Sequence, residues 1–322
     1  MRTDLNRRDF LAVSAAGVSL VATAGRAAEP AYKTTLHKAV ILRADRMNEE
    51  TFKKLKDAGI EGFEAYTVAV DQAKRARELA ERFGLRIHSV MGGGSVPGLR
   101  AAQAYGADAV LAPVGGCSAK PMPEPWEFDI KFNEANGHIT QLVAGDNEKF
   151  QGYVEAHNRS MDRVRESIKK LLPVAEETQV AIALENVWNN WCVRPELYNW
   201  VVASFNSPWV KAYFDVGNHV KYAGILRGDR VEIAYPPEVW IRIFGPRLAK
   251  VHVKDYKLNA DGKGGNWAGI GQGSVNWPAV RKALDDVGYN GWLTDETGLG
   301  WSELSQRLDR IISGEPPVPS GR

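Results

Sequence analysis

Four acidic or histidine side chains in the second half of the chain share one local setting: each ends a run of mostly apolar residues. Val180-Ala181-Ile182-Ala183-Leu184 runs into Glu185, and Val210-Lys211-Ala212-Tyr213-Phe214 runs into Asp215. Leu248-Ala249-Lys250-Val251 runs into His252, and Gly291-Trp292-Leu293-Thr294 runs into Asp295-Glu296. A lone carboxylate at a strand end is ordinarily a loop contact or a helix cap, but four in register ask for a common explanation. If the four runs are parallel strands of one barrel, their C-terminal ends converge on one rim. Glu185, Asp215, His252 and Glu296 can then surround a single point. Three carboxylates and one imidazole make an oxygen-rich donor set with a single nitrogen. It suits one divalent cation, Mn2+ ahead of Mg2+, Co2+ or Zn2+, rather than a metal that prefers thiolates.

Such a site needs a scaffold that aligns strand ends, and the rest of the chain has its rhythm. Strands are expected at Ala39–Leu42, Gly62–Tyr66, Arg86–Val90, Ala109–Ala112, Val180–Glu185, Val210–Asp215, Ala249–His252 and Gly291–Asp295. Most are continuous apolar runs, as in a parallel sheet covered on both faces. Between them the spacing predicts helices such as Glu49–Ala58, Asp71–Phe83, Glu148–Glu177, Pro195–Ala203, Pro237–Ile243, Trp277–Val287 and Ser302–Ile312. Phe83-Gly84-Leu85 and Val287-Gly288-Tyr289 place a glycine where a helix turns back into a strand. Eight strand–helix units predict an α/β fold, a single-domain (β/α)8 TIM barrel over residues 29–322. An open doubly wound sheet would instead want a glycine-rich phosphate loop after its first strand, where the chain has Leu42-Arg43-Ala44-Asp45. Two long segments, Gly115–Asn147 and Asp255–Asn276, each follow a strand and so overhang the face where barrel sites are built.

Composition narrows the partners. With 44% apolar and 25% charged residues the chain is ordinary for a soluble globular protein. A formal charge of +2, without a long basic run, argues against nucleic acid or an anionic membrane surface as partner. Cys117 and Cys192 are expected to be single, partly buried thiols, although a disulfide stays open. At the N-terminus Asn6-Arg7-Arg8-Asp9-Phe10-Leu11 precedes a stretch of small apolar residues, then Gly25-Arg26-Ala27-Ala28. Paired arginines, a short apolar run and a small-residue cleavage site read as a twin-arginine signal over residues 1–28. The twin-arginine export machinery is then a partner, the periplasm the destination, and a metal can be taken up before export. Self-association into a homo-oligomer stays open.

Leu184-Glu185-Asn186-Val187-Trp188-Asn189, Tyr213-Phe214-Asp215-Val216-Gly217-Asn218 and Trp240-Ile241-Arg242-Ile243-Phe244-Gly245 continue with Lys250-Val251-His252-Val253-Lys254-Asp255. The glycine-rich Gly269-Ile270-Gly271-Gln272-Gly273-Ser274-Val275-Asn276-Trp277 and Gly291-Trp292-Leu293-Thr294-Asp295-Glu296 complete the set. Together these segments resemble the xylose isomerase-like TIM-barrel superfamily, the sugar phosphate isomerase/epimerase group. The resemblance covers nearly the whole chain after the signal. It implies Glu185, Asp215, His252 and Glu296 as metal ligands, and Glu185 with Glu296 as a catalytic, proton-transferring pair.

The expected chemistry stands on its own. Moving a carbonyl along a sugar, or inverting the carbon beside it, requires removal of a weakly acidic C–H proton, and a divalent metal on the carbonyl and hydroxyl oxygens stabilises the enediolate that results. One carboxylate takes the proton. A second returns it to the same carbon for epimerisation, or to the neighbouring carbon for isomerisation. If a leaving group lies β to the carbonyl, the same parts make a lyase or dehydratase on a 3-keto-glycoside or inosose. Sugar phosphates are cytoplasmic, so export points to a non-phosphorylated sugar or keto-sugar. A multi-metal endonuclease would want more than six scattered histidines and a basic groove. A sugar-binding protein would not need two glutamates at the metal.

Further substrate contacts are expected, each with a plainer alternative. His88 in the third strand and His219 beyond Asp215 are candidates, against purely structural histidines. Lys254 and Asp255 follow His252 and could orient it or bind a substrate oxygen, against a surface pair. Glu64 in the second strand could face the pocket, and Trp188 or Trp191 could stack on a sugar face, against core packing. His157, inside the long helix, is expected to be structural.

Overall fold

The computed structural model describes residues 32–113, 115–228 and 230–318; the export signal expected over residues 1–28 lies outside them. Eight parallel strands, β1 (Leu36–Leu42), β2 (Gly62–Tyr66), β3 (Arg86–Met91), β4 (Ala109–Pro113), β5 (Ala181–Glu185), β6 (Val210–Asp215), β7 (Leu248–Val253) and β8 (Gly291–Asp295), close into a barrel. Each strand pairs with its sequence neighbours, and β1 closes the ring on β8. The helices are α1 (Glu49–Asp57), α2 (Val70–Arg82), α3 (Val96–Tyr105), α4 (Gln151–Thr178), α5 (Pro195–Ala203), α6 (Pro237–Phe244), α7 (Trp277–Asp286) and α8 (Trp301–Ile312). This is the expected (β/α)8 barrel, with strand bounds within a few residues of those expected.

Alternation along each strand divides the molecule into two cores. Val40, Phe63, Ile87, Val110, Ile182, Phe214, Val251 and Leu293 point outward and join the helices in one apolar shell. Ala109, Leu111, Ala181, Ala183 and Tyr213 form a separate, smaller cluster inside the barrel. Trp292 helps fill the interior below them. A Cβ on Gly62 would stand 2.5 Å from the Arg86 carbonyl oxygen and 2.6 Å from the Trp292 ring, so only glycine fits beside that indole.

The differences from expectation lie between strands. α3 completes the eight expected strand–helix units although it was not one of the stretches named above, and its start, Val96-Pro97-Gly98, carries two helix breakers. Proline is tolerated in a first helical turn, Ser95 Oγ caps the Gly98 N–H at 3.2 Å, and a Cβ at Gly98 would meet Gly93 backbone at 2.5 Å. The long segment after β4 contains an antiparallel ribbon, Phe128–Phe132 with Ile139–Val143, and the one after β7 contains another, Asp255–Leu258 with Gly265–Ala268. A third, Gly224–Arg227 with Arg230–Ile233, follows β6. Gly137 and Gly262, both at positive φ, complete Asn-Gly and Asp-Gly turns in the first two, a hairpin signal present in the sequence. Both cysteines are free, and both are buried rather than partly buried.

Candidate metal centre

Strand order and register bring the four side chains together. Glu185 lies opposite Tyr213, so Asp215 stands two residues farther along β6; His252 lies opposite both Asp215 and Thr294, so Glu296 stands two residues beyond Thr294. A register shift between Leu248 and Lys250 accompanies this alignment, because two residues of β7 there oppose one step of β6. One ligand atom from each of Glu185, Asp215, His252 and Glu296 lies within 4.8 Å of the others. Around the ring the order is Glu185, Asp215, His252, Glu296, so the two glutamates flank the inner pair.

Each donor is held from behind. Asp215 Oδ1 accepts the N–H groups of Gly217 and Asn218, both at 2.8 Å, which leaves Oδ2 facing the centre. The Asn186 amide clamps the Asp215 peptide, donating to its carbonyl at 2.9 Å and accepting its N–H at 2.7 Å, and so ties the ends of β5 and β6. His252 Nδ1 lies 3.1 Å from Glu185 Oε1 and 3.7 Å from Glu296 Oε1. Its Nε2 lies 2.8 Å from Glu64 Oε2, which also accepts the Tyr213 hydroxyl at 3.3 Å. Lys254 Nζ lies 3.0 Å from Asp215 Oδ2 and donates to Glu296 Oε2.

The electrostatics follow from putting these charges out of water. Burial pushes the Asp215 carboxyl up to about 7, although the Lys254 ammonium pulls against it. Burial alone would lower His252, but the Glu64 and Glu185 carboxylates hold it well above the ordinary imidazole value. Glu296 is raised by burial and lowered by His252 and Lys254, with a net shift below its ordinary value, which keeps it ionised at neutral pH. A buried cluster of three carboxylates is stable only with positive charge among them. The donor set, its spacing and the inward Asp215 Oδ2 fit a divalent cation, which would bind through Glu185, Asp215, His252 and Glu296.

Glu64, expected at the pocket, is fully buried beneath His252 instead. There it can accept the Nε2 proton, so that the Nδ1 lone pair faces the cluster. Glu64→Gln is expected to weaken divalent-metal binding roughly 10-fold or more, read by isothermal titration. Equal affinity in both proteins would mean that Glu64 only fills space.

Other expectations are redirected. His88 is buried below the rim, stacked on Trp292 at 4.8 Å and bonded through Nε2 to Thr294 Oγ1 at 3.1 Å; burial lowers its pKa well below the ordinary value. His219 faces away from the cluster, between Phe214 and Trp240. Asp255 is also fully buried: its oxygens accept N–H groups from Tyr256, Gly271, Val275 and the Trp277 indole. It organises the glycine-rich turn, where a Cβ at Gly273 would stand 2.0 Å from its Oδ1. All three side chains are buried. Trp191 is fully buried and stacked on His157, whose Nε2 meets the Trp191 carbonyl at 2.9 Å, so His157 is structural as expected.

Lys254 does face the site, and so does an unexpected residue. A cleft of about 570 Å³ opens beside Lys254 and Glu296, with Trp267 on its wall. Trp188 stacks behind Trp267 at 4.2 Å, and its indole N–H donates to the Asn218 carbonyl at 2.5 Å, so it buttresses the wall. Trp267 and Asn186 were missed by reasoning from the sequence. Both had a weak signal: an aromatic in a segment that overhangs the site, and an amide directly after a ligand.

A xylose isomerase domain protein from Planctomyces limnophilus superposes with a TM-score of 0.60 at 15% identity, covering 88% of this chain and 97% of that one. A D-tagatose 3-epimerase-like protein gives 0.59 at 15% identity, covering 86% and 97%. The 3-keto-D-glucoside 4-epimerase of E. coli gives 0.57 at 14% identity, covering 86% and 99%. Likeness at such identity speaks for the fold alone, and no curated protein matches the sequence. The profile described as "Xylose isomerase-like TIM barrel" matches residues 52–310, most of the chain, and the protein therefore belongs to that family.

Proposed function

We propose that the protein is a divalent-metal-dependent isomerase or epimerase of a non-phosphorylated sugar or keto-sugar, working in the periplasm after twin-arginine export. One observation carries the chemistry: Glu185 and Glu296 flank Asp215 and His252 around a single point, on strand ends at opposite limits of a four-strand arc. A metal held there supplies positive charge to a carbonyl and its neighbouring hydroxyl, which stabilises the anion left when the adjacent C–H proton is removed. Asp215 and His252 hold position. One of the two glutamates takes the proton from carbon and the other returns one. Lys254 lines the cleft beside Glu296, where its ammonium can meet a substrate oxygen. The Arg7-Arg8 pair supports export, and export supports a substrate without phosphate. The same parts would serve elimination from a 3-keto-glycoside or inosose; the cleft running on beyond Glu296 favours keeping that second reading.

The test is to incubate the metal-loaded protein with free ketoses and 3-keto-glycosides in D₂O and follow products by NMR. Deuterium at the carbon next to the carbonyl, without loss of a substituent, is the expected result. Release of the substituent would make the protein a lyase, and no exchange with any substrate would overturn both readings.

A further inference from the structure

The cleft beside the cluster divides by chemistry. Its ionised groups, Lys254 and Glu296, lie at the inner end, whereas Trp267, Gln272, Thr297 and Leu299 wall the outer part and carry no charge. The Arg307 guanidinium behind Gly269 is committed to the Ile270 carbonyl and to Glu303, both at 2.5 Å. Its volume of about 570 Å³ falls inside the range, roughly 300–1,000 Å³, that takes ligands well above one sugar ring in size.

Trp267 is the largest apolar side chain left in water among the described residues, 47% exposed. It is nonetheless fixed: Trp188 stacks on it at 4.2 Å and Tyr256 meets it edge-on at 5.4 Å. The antiparallel pairing of Tyr256 with Trp267 sets its height above the rim. Lys254 Nζ lies 3.0 Å from Asp215 Oδ2 and 4.7 Å from the centre of the Trp267 ring, so one ammonium bridges the carboxylates and the indole. A rigid, half-exposed indole loses little conformational entropy on binding, and the part of it that Trp188 and the Lys254 ammonium leave uncovered offers apolar surface to the cleft.

We propose that Trp267, Gln272, Thr297 and Leu299 form a second subsite that binds an uncharged, flat-faced glycosidic substituent, so that the substrate is a glycoside and not a free monosaccharide. The subsite rests on the reading of the metal centre as the place where the sugar ring reacts. The reacting ring lies against Glu185 and Glu296, and the substituent lies on Trp267 with Leu299 beside it. Gln272 and Thr297 supply neutral hydrogen-bonding groups at the edge. A phosphate there would find no cation that is not already engaged.

Binding of phenyl β-D-glucoside, methyl β-D-glucoside and cellobiose to the metal-loaded protein, read by titration calorimetry, tests the subsite without any turnover. Phenyl β-D-glucoside is expected to bind about tenfold more tightly than methyl β-D-glucoside, with cellobiose between them if a sugar ring can also stack. Trp267→Ala is expected to erase most of that advantage, and Trp267→Phe, which keeps a flat ring, to restore part of it. Equal affinity for the phenyl and methyl glucosides, or an advantage unchanged in Trp267→Ala, overturns the subsite, as does failure of all three to bind. Failure of deuterium exchange with binding intact would instead overturn the reading of the metal centre.

Discussion

His252→Ala is expected to leave the purified protein with almost no tightly bound divalent metal, while Glu296→Gln retains most of it. The two variants separate holding from proton transfer. His252 is the one nitrogen donor, fully buried and backed by Glu64 at 2.8 Å, so its loss removes a ligand and leaves Glu64 as an unpaired buried carboxylate. Metal affinity is expected to fall at least about 100-fold, in the range that follows loss of a well-supported ligand or its partner. Glu296 is 22% exposed at its side chain and ion-paired to Lys254, so a neutral amide there disturbs the cluster less. Its carboxylate is what a proton acceptor needs, and loss of it is expected to slow C–H exchange by roughly 10²–10⁴-fold. Elemental analysis after dialysis reads the first quantity, and NMR exchange rates in D₂O the second. Unchanged metal content in both His252→Ala and Glu185→Gln would undo the metal centre.

Acid is expected to cost the wild type about 2 kcal/mol more unfolding stability than a His219→Phe variant on going from about pH 7 to about pH 5. The His219 ring is packed 5.5 Å from Phe214 and 5.1 Å from Trp240. Burial pushes its pKa down to about 3, despite backbone contacts with Tyr235 and Asp215 that pull upward. The unfolded chain takes up a proton as pH falls through about 6.5, the folded ring does not, and stability therefore drops across that window and is complete above it. His157, pushed down to about 4, acts with the same sign but is present in both proteins. Asp215, pushed up to about 7, acts with the opposite sign, so the difference between the two proteins isolates the His219 imidazole. Urea unfolding across that pH range provides the measurement. Parallel stability curves would show that His219 is hydrated in the folded protein.

Much of the centre is legible in the sequence, because a parallel barrel translates sequence into position with little ambiguity. A continuous apolar run is a strand buried on both faces, and its last residue stands on the rim. That logic located Glu185, Asp215, His252 and Glu296, and the structure brings them within 4.8 Å. The same logic could not tell inward from outward once a strand had ended. His219 and Asp255 lie in turns just past β6 and within the ribbon after β7, where direction depends on backbone turns that apolar patterning does not encode. Glu64 and His88 do point inward, yet depth along the barrel decides whether a side chain meets substrate or supports another residue. The register shift between β2 and β3, and the one between β6 and β7, set that depth.

By itself, then, the chain's sequence determined the barrel, the order of its strands and the four donors, since these follow from hydrophobic period and strand ends. Tertiary structure alone decided that Glu64 backs His252, that Asp255 pins the glycine-rich turn, and that Lys254 reaches two of the four donors. It also placed Trp267 against Trp188, from a segment about eighty residues away in the chain. Contacts of that kind depend on side-chain direction and packing between distant segments, and neither has a local period to read.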